Sequence, residues 1–193
     1  MHDKKALFFD TVVLSNFAYA EGGIVFLKKR YQSRGTVTLQ VLEELAKAHF
    51  AGWQQFEQLE KQLFVKVDVK VDVKSDVKSD VKGDIKGDVK GGFIKTTLTL
   101  QEQQHYISLL KNLGDGEASC IAAAAESGAI VVTDDRTARN FCKERTIPVS
   151  GTIGILKAAC LDGILSIGQA DCMLEQMISS GFYSPVQKIT DIV

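Results

Sequence analysis

Residues 114–141, GDGEASCIAAAAESGAIVVTDDRTARNF, carry Asp115 and Glu117 at the start of an alanine-rich segment and Asp134 and Asp135 just after an unbroken apolar run. The first segment reads as a helix to about Ser127, stopped by Gly128, and Ala129–Thr133 reads as a strand buried on both faces. Asp10 repeats the arrangement, because Ala6–Phe9 is another short apolar run that ends in an acid. In a parallel sheet the carboxyl ends of such strands share one edge, where open α/β sheets place their ligands. Carboxylates gathered there without a counter-ion repel one another and raise each other's pKa values. A divalent cation relieves that strain, and an oxygen-only ligand set favours a hard ion, Mg2+ or Mn2+, over zinc. Such a site suits phosphodiester hydrolysis.

Each acid also has an ordinary reading. Asp115 can cap a helix, Glu117 can complement its dipole, Asp134 or Asp135 can cap the following helix, and Glu43 and Glu44 can be a solvated face. Two other phosphate chemistries fall away. FFDTVV has Val12 where an aspartyl-phosphate phosphatase of the haloacid dehalogenase type needs its second Asp, and GDGEAS lacks the Lys of a P-loop.

The elements that must position these residues alternate between strand and helix, which implies a parallel sheet covered on both faces. After the first strand, Thr11, Ser15 and Asn16 supply polar groups to a turn. Helical character runs from about Ser15 to Tyr31, interrupted at Gly22 and Gly23. A second strand is expected at Thr36–Leu39, followed by a helix over VLEELAKAHF and another from roughly Trp53 to Leu63. Thr99 and Glu102 form a capping-box pattern before a helix bearing Tyr106, Leu109, Leu110 and Leu113 at helical spacing. Beyond the acidic stretch come a helix from about Arg136 to Arg145, a strand at Ile147–Val149, and helices near 152–161 and 168–179. Residues 66–90, KVDVKVDVKSDVKSDVKGDIKGDVK, are a tandem four-residue repeat with strand periodicity. Fully extended they would span roughly 80 Å, so they fold back as a hairpin or stay largely disordered. The repeat's charges cancel, and it is taken as a low-complexity insertion.

The totals bound what surrounds the site. The 193 residues, 45% of them hydrophobic, suffice for one well-buried domain. With 23 Lys and Arg against 24 Asp and Glu there is no basic excess, which argues against a dedicated duplex-DNA binder. Cys120, Cys142, Cys160 and Cys172 lack CxxC spacing and fall in apolar helical contexts, so buried reduced thiols of a cytoplasmic protein are expected. No segment approaches the length of a membrane span.

FFDTVVLSNF, VLEEL, GDGEASCIAAA, VVTDDRTARNFC and VSGTIGILKAACLDGILS, in that order, are spread along the chain on both sides of the repeat. Together they resemble a PIN-domain protein, close to the VapC-like toxins of type II toxin–antitoxin systems. The resemblance implies a five-stranded parallel sheet flanked by helices and a metal-dependent endoribonuclease using Mg2+ or Mn2+. It also implies a cognate antitoxin partner and often a homodimer. Carried over by position, the site residues are Asp10, Glu44, Glu117 and the pair Asp134/Asp135. Glu44 is preferred to Glu43 because it directly precedes the Leu of V-x-x-E-L. Asp115 is left open, because the family's third acid is the Glu of GEA, and so is the choice between Asp134 and Asp135. Thr11, Ser15, Asn16 and Thr133 are expected to orient ligands or water, and Arg136 to contact phosphate. The rival expectation is a catalytically inactive module of the same fold, its acids serving as caps, that binds a protein partner or RNA.

Overall fold

Five strands of two to four residues build the sheet among the described residues. They are β1 (Leu7–Phe9), β2 (Gly35–Thr38), β3 (Ile94–Thr96), β4 (Ile130–Val132) and β5 (Val149–Ser150). The computed structural model describes residues 5–64 and 92–193, and the repeat at 66–90 lies outside the described residues. The strands pair in the order β3-β2-β1-β4-β5, every pair parallel. In register, Phe8 stands beside Thr36 on one side and Val131 on the other. β1, β2 and the inner residues of β4 are buried, as near-continuous apolar strands covered on both faces must be. The order of the strands reverses between β1 and β4. That is a topological switch point, the place where open α/β sheets bind ligands outside the carboxyl ends of their strands.

Nine helices among the described residues flank the sheet: α1 (Thr11–Tyr19), α2 (Gly23–Tyr31), α3 (Leu39–Phe50), α4 (Phe56–Leu63), α5 (Leu100–Leu109), α6 (Asp115–Ser127), α7 (Arg136–Glu144), α8 (Thr152–Leu161) and α9 (Ile167–Ser179). α6 lies against β1, β2 and β4 and packs on α3 and α5. Its contact face is Gly116, Ala118, Ser119, Ala122 and Ala123, all buried, so its backbone can come close to the sheet. Ser119 shares a 2.7 Å hydrogen bond with Thr38 at the end of β2. The Cys120 thiol donates to the Phe9 carbonyl. At the other side of β1, Phe9 packs on Phe93 and Tyr31 with ring centroids 4.8 and 5.5 Å apart.

Several element starts differ from expectation for one local reason. The turn expected at Thr11–Asn16 is helix, because the Asp10 side chain accepts from the Thr11 amide at 2.7 Å and starts α1 at once. Thr38 likewise caps α3, so that helix begins at Leu39, inside the strand expected at Thr36–Leu39. The strand expected at Ile147–Val149 is shifted to Val149–Ser150. β3 was not anticipated; it is a three-residue edge strand with two exposed positions and no apolar run to announce it. The Thr99/Glu102 capping box is present, and Gly128 ends α6 in the left-handed conformation. All four cysteines are free thiols, but only Cys120 and Cys142 are buried. Cys172 is exposed on the outer face of α9, whose buried residues are Ala170, Leu174 and Met177. No helix among the described residues is long and apolar enough to cross a membrane.

Candidate active site

Asp10 stands at the end of β1, directly on the switch point, and only 1% of it is exposed. Its amide continues the β1–β4 ladder by donating to the Val132 carbonyl at 3.0 Å. One carboxylate oxygen caps α1, and the other accepts from the Thr133 hydroxyl at 2.9 Å. The Thr133 hydroxyl in turn accepts from the Asp135 amide at 3.1 Å, which ties the ends of β1 and β4 into one hydrogen-bonded unit.

Glu44 reaches this edge from the second turn of α3. Its carboxylate accepts from the Gly116 amide at 2.7 Å and from the Thr11 hydroxyl. The Gly116 amide is one of the orphan donors in the first turn of α6, so Glu44 caps that helix from across the fold. Glu43, one residue earlier, is exposed, which separates the two glutamates of VLEEL. A Cβ at Gly116 would stand 2.5 Å from a Glu44 oxygen and 3.0 Å from an Asp10 oxygen. The missing side chain is what lets both carboxylates converge on one point. Glu117, half-buried in the first turn of α6, turns its carboxylate toward Gly114.

The electrostatics follow from this crowding. Burial, then the negative charge of Glu117, push the Asp10 carboxyl up to about 7; Glu44 adds to the rise, while the Thr133 and Thr11 hydrogen bonds oppose it. Glu117 is also raised, first by burial and further by Glu44 and Asp135, with the amides of Glu117 and Gly114 opposing. Asp10 therefore lies in the fields of Glu117 and Glu44, and Glu117 in those of Glu44 and Asp135.

A family model, DUF3368, described as a PIN domain, matches residues 55–193. The chain belongs to the PIN-domain family. No curated protein matches it. The matched segment of this PIN domain contains Glu117, Asp134 and Asp135, while Asp10 and Glu44 precede it and are tied to the site by the contacts above. PIN domains are generally nucleases that use divalent metals.

Asp134 and Asp135, adjacent in sequence, face different tasks. Asp135 caps α7 through the Ala138 amide at 2.7 Å and raises the pKa of Glu117. Asp134 accepts from the Thr152 amide at 2.9 Å, the Thr152 hydroxyl at 2.5 Å and Asn16 at 3.1 Å, so three donors fix it to α8 and α1. Thr11, Asn16 and Thr133 thus orient carboxylates. Ser15 is half-buried one turn beyond Thr11, and Arg136 is exposed at the first residue of α7. Asp115 is exposed, accepts from the Tyr106 hydroxyl at 2.8 Å, and is not the cap of α6; Gly114 is. The cation that comes nearest in sequence to Arg136 but lies inward is Arg139. Its Nη1 donates to the Thr133 and Ser150 carbonyls at 2.9 and 2.7 Å and clamps the ends of β4 and β5. Only the helical spacing from the buried Ala138 and Cys142 could have marked it as inward-facing.

Among the described residues no three His, Cys, Asp or Glu side chains stand as a ready-built metal cluster. What suits this edge to a hard cation is its charge and donor chemistry: the carboxylate oxygens of Asp10 and Glu44 brought together over Gly116, and a buried acid whose carboxyl is pushed up to about 7 by burial and by its acidic neighbours.

Proposed function

We propose that this PIN domain is an endoribonuclease of the VapC type, dependent on Mg2+ or Mn2+. The observation that carries the reading is Asp10, buried at the switch point with Glu44 beside it across Gly116 and its carboxyl pushed up to about 7. A structural acid would be served better by a neutral isostere, whereas a cation would remove the repulsion. Asp10, Glu44, Glu117 and Asp135 would hold the ion. When bound it would supply counter-charge to the phosphate and make water more acidic. The chain's own groups do the positioning. The Thr133 hydroxyl and Thr11 amide hold Asp10, while the Thr11 hydroxyl and Gly116 amide hold Glu44, so neither carboxylate is free to swing away. Asp134 serves as a brace between β4, α8 and α1.

The expected partners are RNA as substrate, a small antitoxin protein and a second copy of the chain. The free thiols accord with a reducing, cytoplasmic setting. The reading is tested by incubating a mixed RNA pool with the protein in Mg2+, in Mn2+ and in EDTA. Cleavage in either metal that is absent in EDTA and absent in Asp10→Asn is expected. No cleavage in either metal would favour the inactive module.

A further inference from the structure

Beside the acidic edge, a cavity of about 290 Å3 opens between the ends of β4 and β5, the start of α8 and the segment after α9. Asp134, Arg139, Gly151, Phe182, Tyr183 and Pro185 are among its lining residues. Its volume lies near the lower end of the roughly 300–1,000 Å3 range of small-ligand pockets, room for one nucleotide unit.

Two of its residues keep binding capacity that the fold does not use. Arg139 spends both hydrogens of Nη1 on backbone carbonyls, and no carboxylate of the described residues pairs with it. Its Nε and Nη2 donors remain available on a guanidinium that is already fixed in place. Fixing costs a ligand little further entropy, and a planar fork of donors suits phosphate oxygens. Asp134, which also lines the cavity, already accepts from three donors. Gly151 keeps these groups close together, because a Cβ there would meet the Asp134 carboxylate at 2.4 Å and Arg139 Nη1 at 2.8 Å.

The second feature is Tyr183, 94% exposed although it follows the well-packed α9. A single exposed aromatic is ordinary. This one, however, lines a cavity, and the chain on either side of it is held. The Phe182 amide donates to the Met177 carbonyl at 3.0 Å, and Ser184 exchanges hydrogen bonds with Val186 across Pro185. An exposed ring and a fixed guanidinium lining one cavity are the pairing that single-stranded nucleic acid uses, base on the ring and phosphate on the cation.

We propose that this cavity is a nucleotide subsite for single-stranded RNA, in which Arg139 binds a backbone phosphate next to the cleavage edge and Tyr183 stacks the adjoining base. The proposal rests on the nuclease reading above. It also gives a chain without basic excess a local means of holding a polyanion against an acidic edge.

The test is fluorescence anisotropy of an end-labelled single-stranded oligoribonucleotide of mixed sequence with the full chain in Ca2+, its integrity checked on a gel. Wild type, Tyr183→Ala, Tyr183→Phe and Arg139→Gln are compared. Tyr183→Ala should weaken binding roughly fivefold or more, and Tyr183→Phe should stay within about twofold of wild type. Arg139→Gln, shown folded by circular dichroism, should lower the slope of log affinity against log salt by about 0.7, one phosphate contact on a single strand. Equal binding by Tyr183→Ala and wild type overturns the proposal, as does an unchanged salt slope in folded Arg139→Gln or a wild type that does not bind. Should Arg139→Gln fail to fold, the Tyr183 pair decides alone. Metal-dependent cleavage with no effect of Tyr183 would sink the subsite and leave the nuclease. Binding that depends on Tyr183 and Arg139, with no cleavage in Mg2+ or Mn2+, would do the reverse.

Discussion

Asp10 carries the sharpest consequence at the scale of single residues, because its burial and its acidic neighbours act on stability as well as on chemistry. Its folded pKa of about 7 lies above the ordinary 3.8, so the native state binds the proton more tightly than the unfolded chain does. The stability this contributes is fully present below about pH 4 and is lost as pH rises toward 7. Glu117, raised in the same direction, adds to the decline. Metal-free wild type should therefore melt at progressively lower temperature between about pH 4 and 7, and Mg2+ or Mn2+ should reverse the loss near pH 7.5. Asp10→Asn retains a carbonyl oxygen for the Thr11 amide, and the Thr133 hydroxyl can turn to accept from the new amide group. This variant should be more stable than metal-free wild type near pH 7.5 by roughly 1–3 kcal/mol, about 2–4 °C for each kcal/mol. It should show no metal-induced shift and no cleavage. Thermal melts across pH, with and without metal, check all of this. A variant less stable than wild type at neutral pH would mean that the burial is better compensated than the neighbouring charges imply.

The elements explain why the acids are gathered at all. Every helix that follows a strand here begins at the carboxyl edge of the sheet, so residues that cap helices and residues that could bind a cation compete for the same positions. Capping and convergence are both real in this chain: Asp10 caps α1, Glu44 caps α6 from a distance, and Asp135 caps α7. The two duties can be separated at Asp135. Asp135→Ser keeps an oxygen for the Ala138 amide and removes the charge, whereas Asp135→Ala removes both. The serine variant should melt within about 0.5 kcal/mol of wild type and the alanine variant about 1 kcal/mol lower, while both lose most metal-dependent cleavage. Full activity in Asp135→Ser would mark Asp135 as a cap alone. The parallel sheet and most helices were legible because short unbroken apolar runs, as at Leu7–Phe9 and Ile130–Val132, alternate with segments of helical spacing. Element starts were less so, since one capping side chain, as at Asp10 or Thr38, moves a boundary by several residues. β3 and Arg139 were not legible: an edge strand of three residues has no periodicity, and the carbonyls that hold Arg139 become neighbours only when β4 and β5 pair. The separation of Asp134 from Asp135 likewise depends on α8 arriving with Thr152, which no local pattern announces.

At the scale of the whole molecule, the repeat at 66–90 interrupts a chain whose flanks are already joined. Phe64 and Phe93 form a parallel bridge, the Phe93 amide donates to the Leu63 carbonyl at 2.9 Å, and both phenylalanines are buried. Neighbouring strands lie about 4.8 Å apart, so a Gly/Ser linker of about six residues, each spanning up to roughly 3.4 Å, can reverse direction and reconnect them. The site is held independently of this connection. Glu44 is fixed by Thr11 and Gly116, and α3 packs directly on α6. Loop-closure entropy depends only logarithmically on length, so replacing the repeat by such a linker should change stability by roughly 1 kcal/mol, in the favourable direction. The even positions of the repeat are all charged and beyond Val73 every second odd position is Ser or Gly, which limits the apolar surface it can offer the core. The unbroken set of valines at odd positions from 65 to 73 argues the other way, since a strand formed there could cover a sheet edge whose loss would promote aggregation. The shortened protein, with Phe64 linked to Gly92, should remain monodisperse, melt in one cooperative transition within about 4 °C of the full chain, and keep its metal-dependent cleavage. Size-exclusion chromatography, a thermal melt and the RNA assay decide it, and an aggregated or non-cooperative product would make the repeat a working part of the fold.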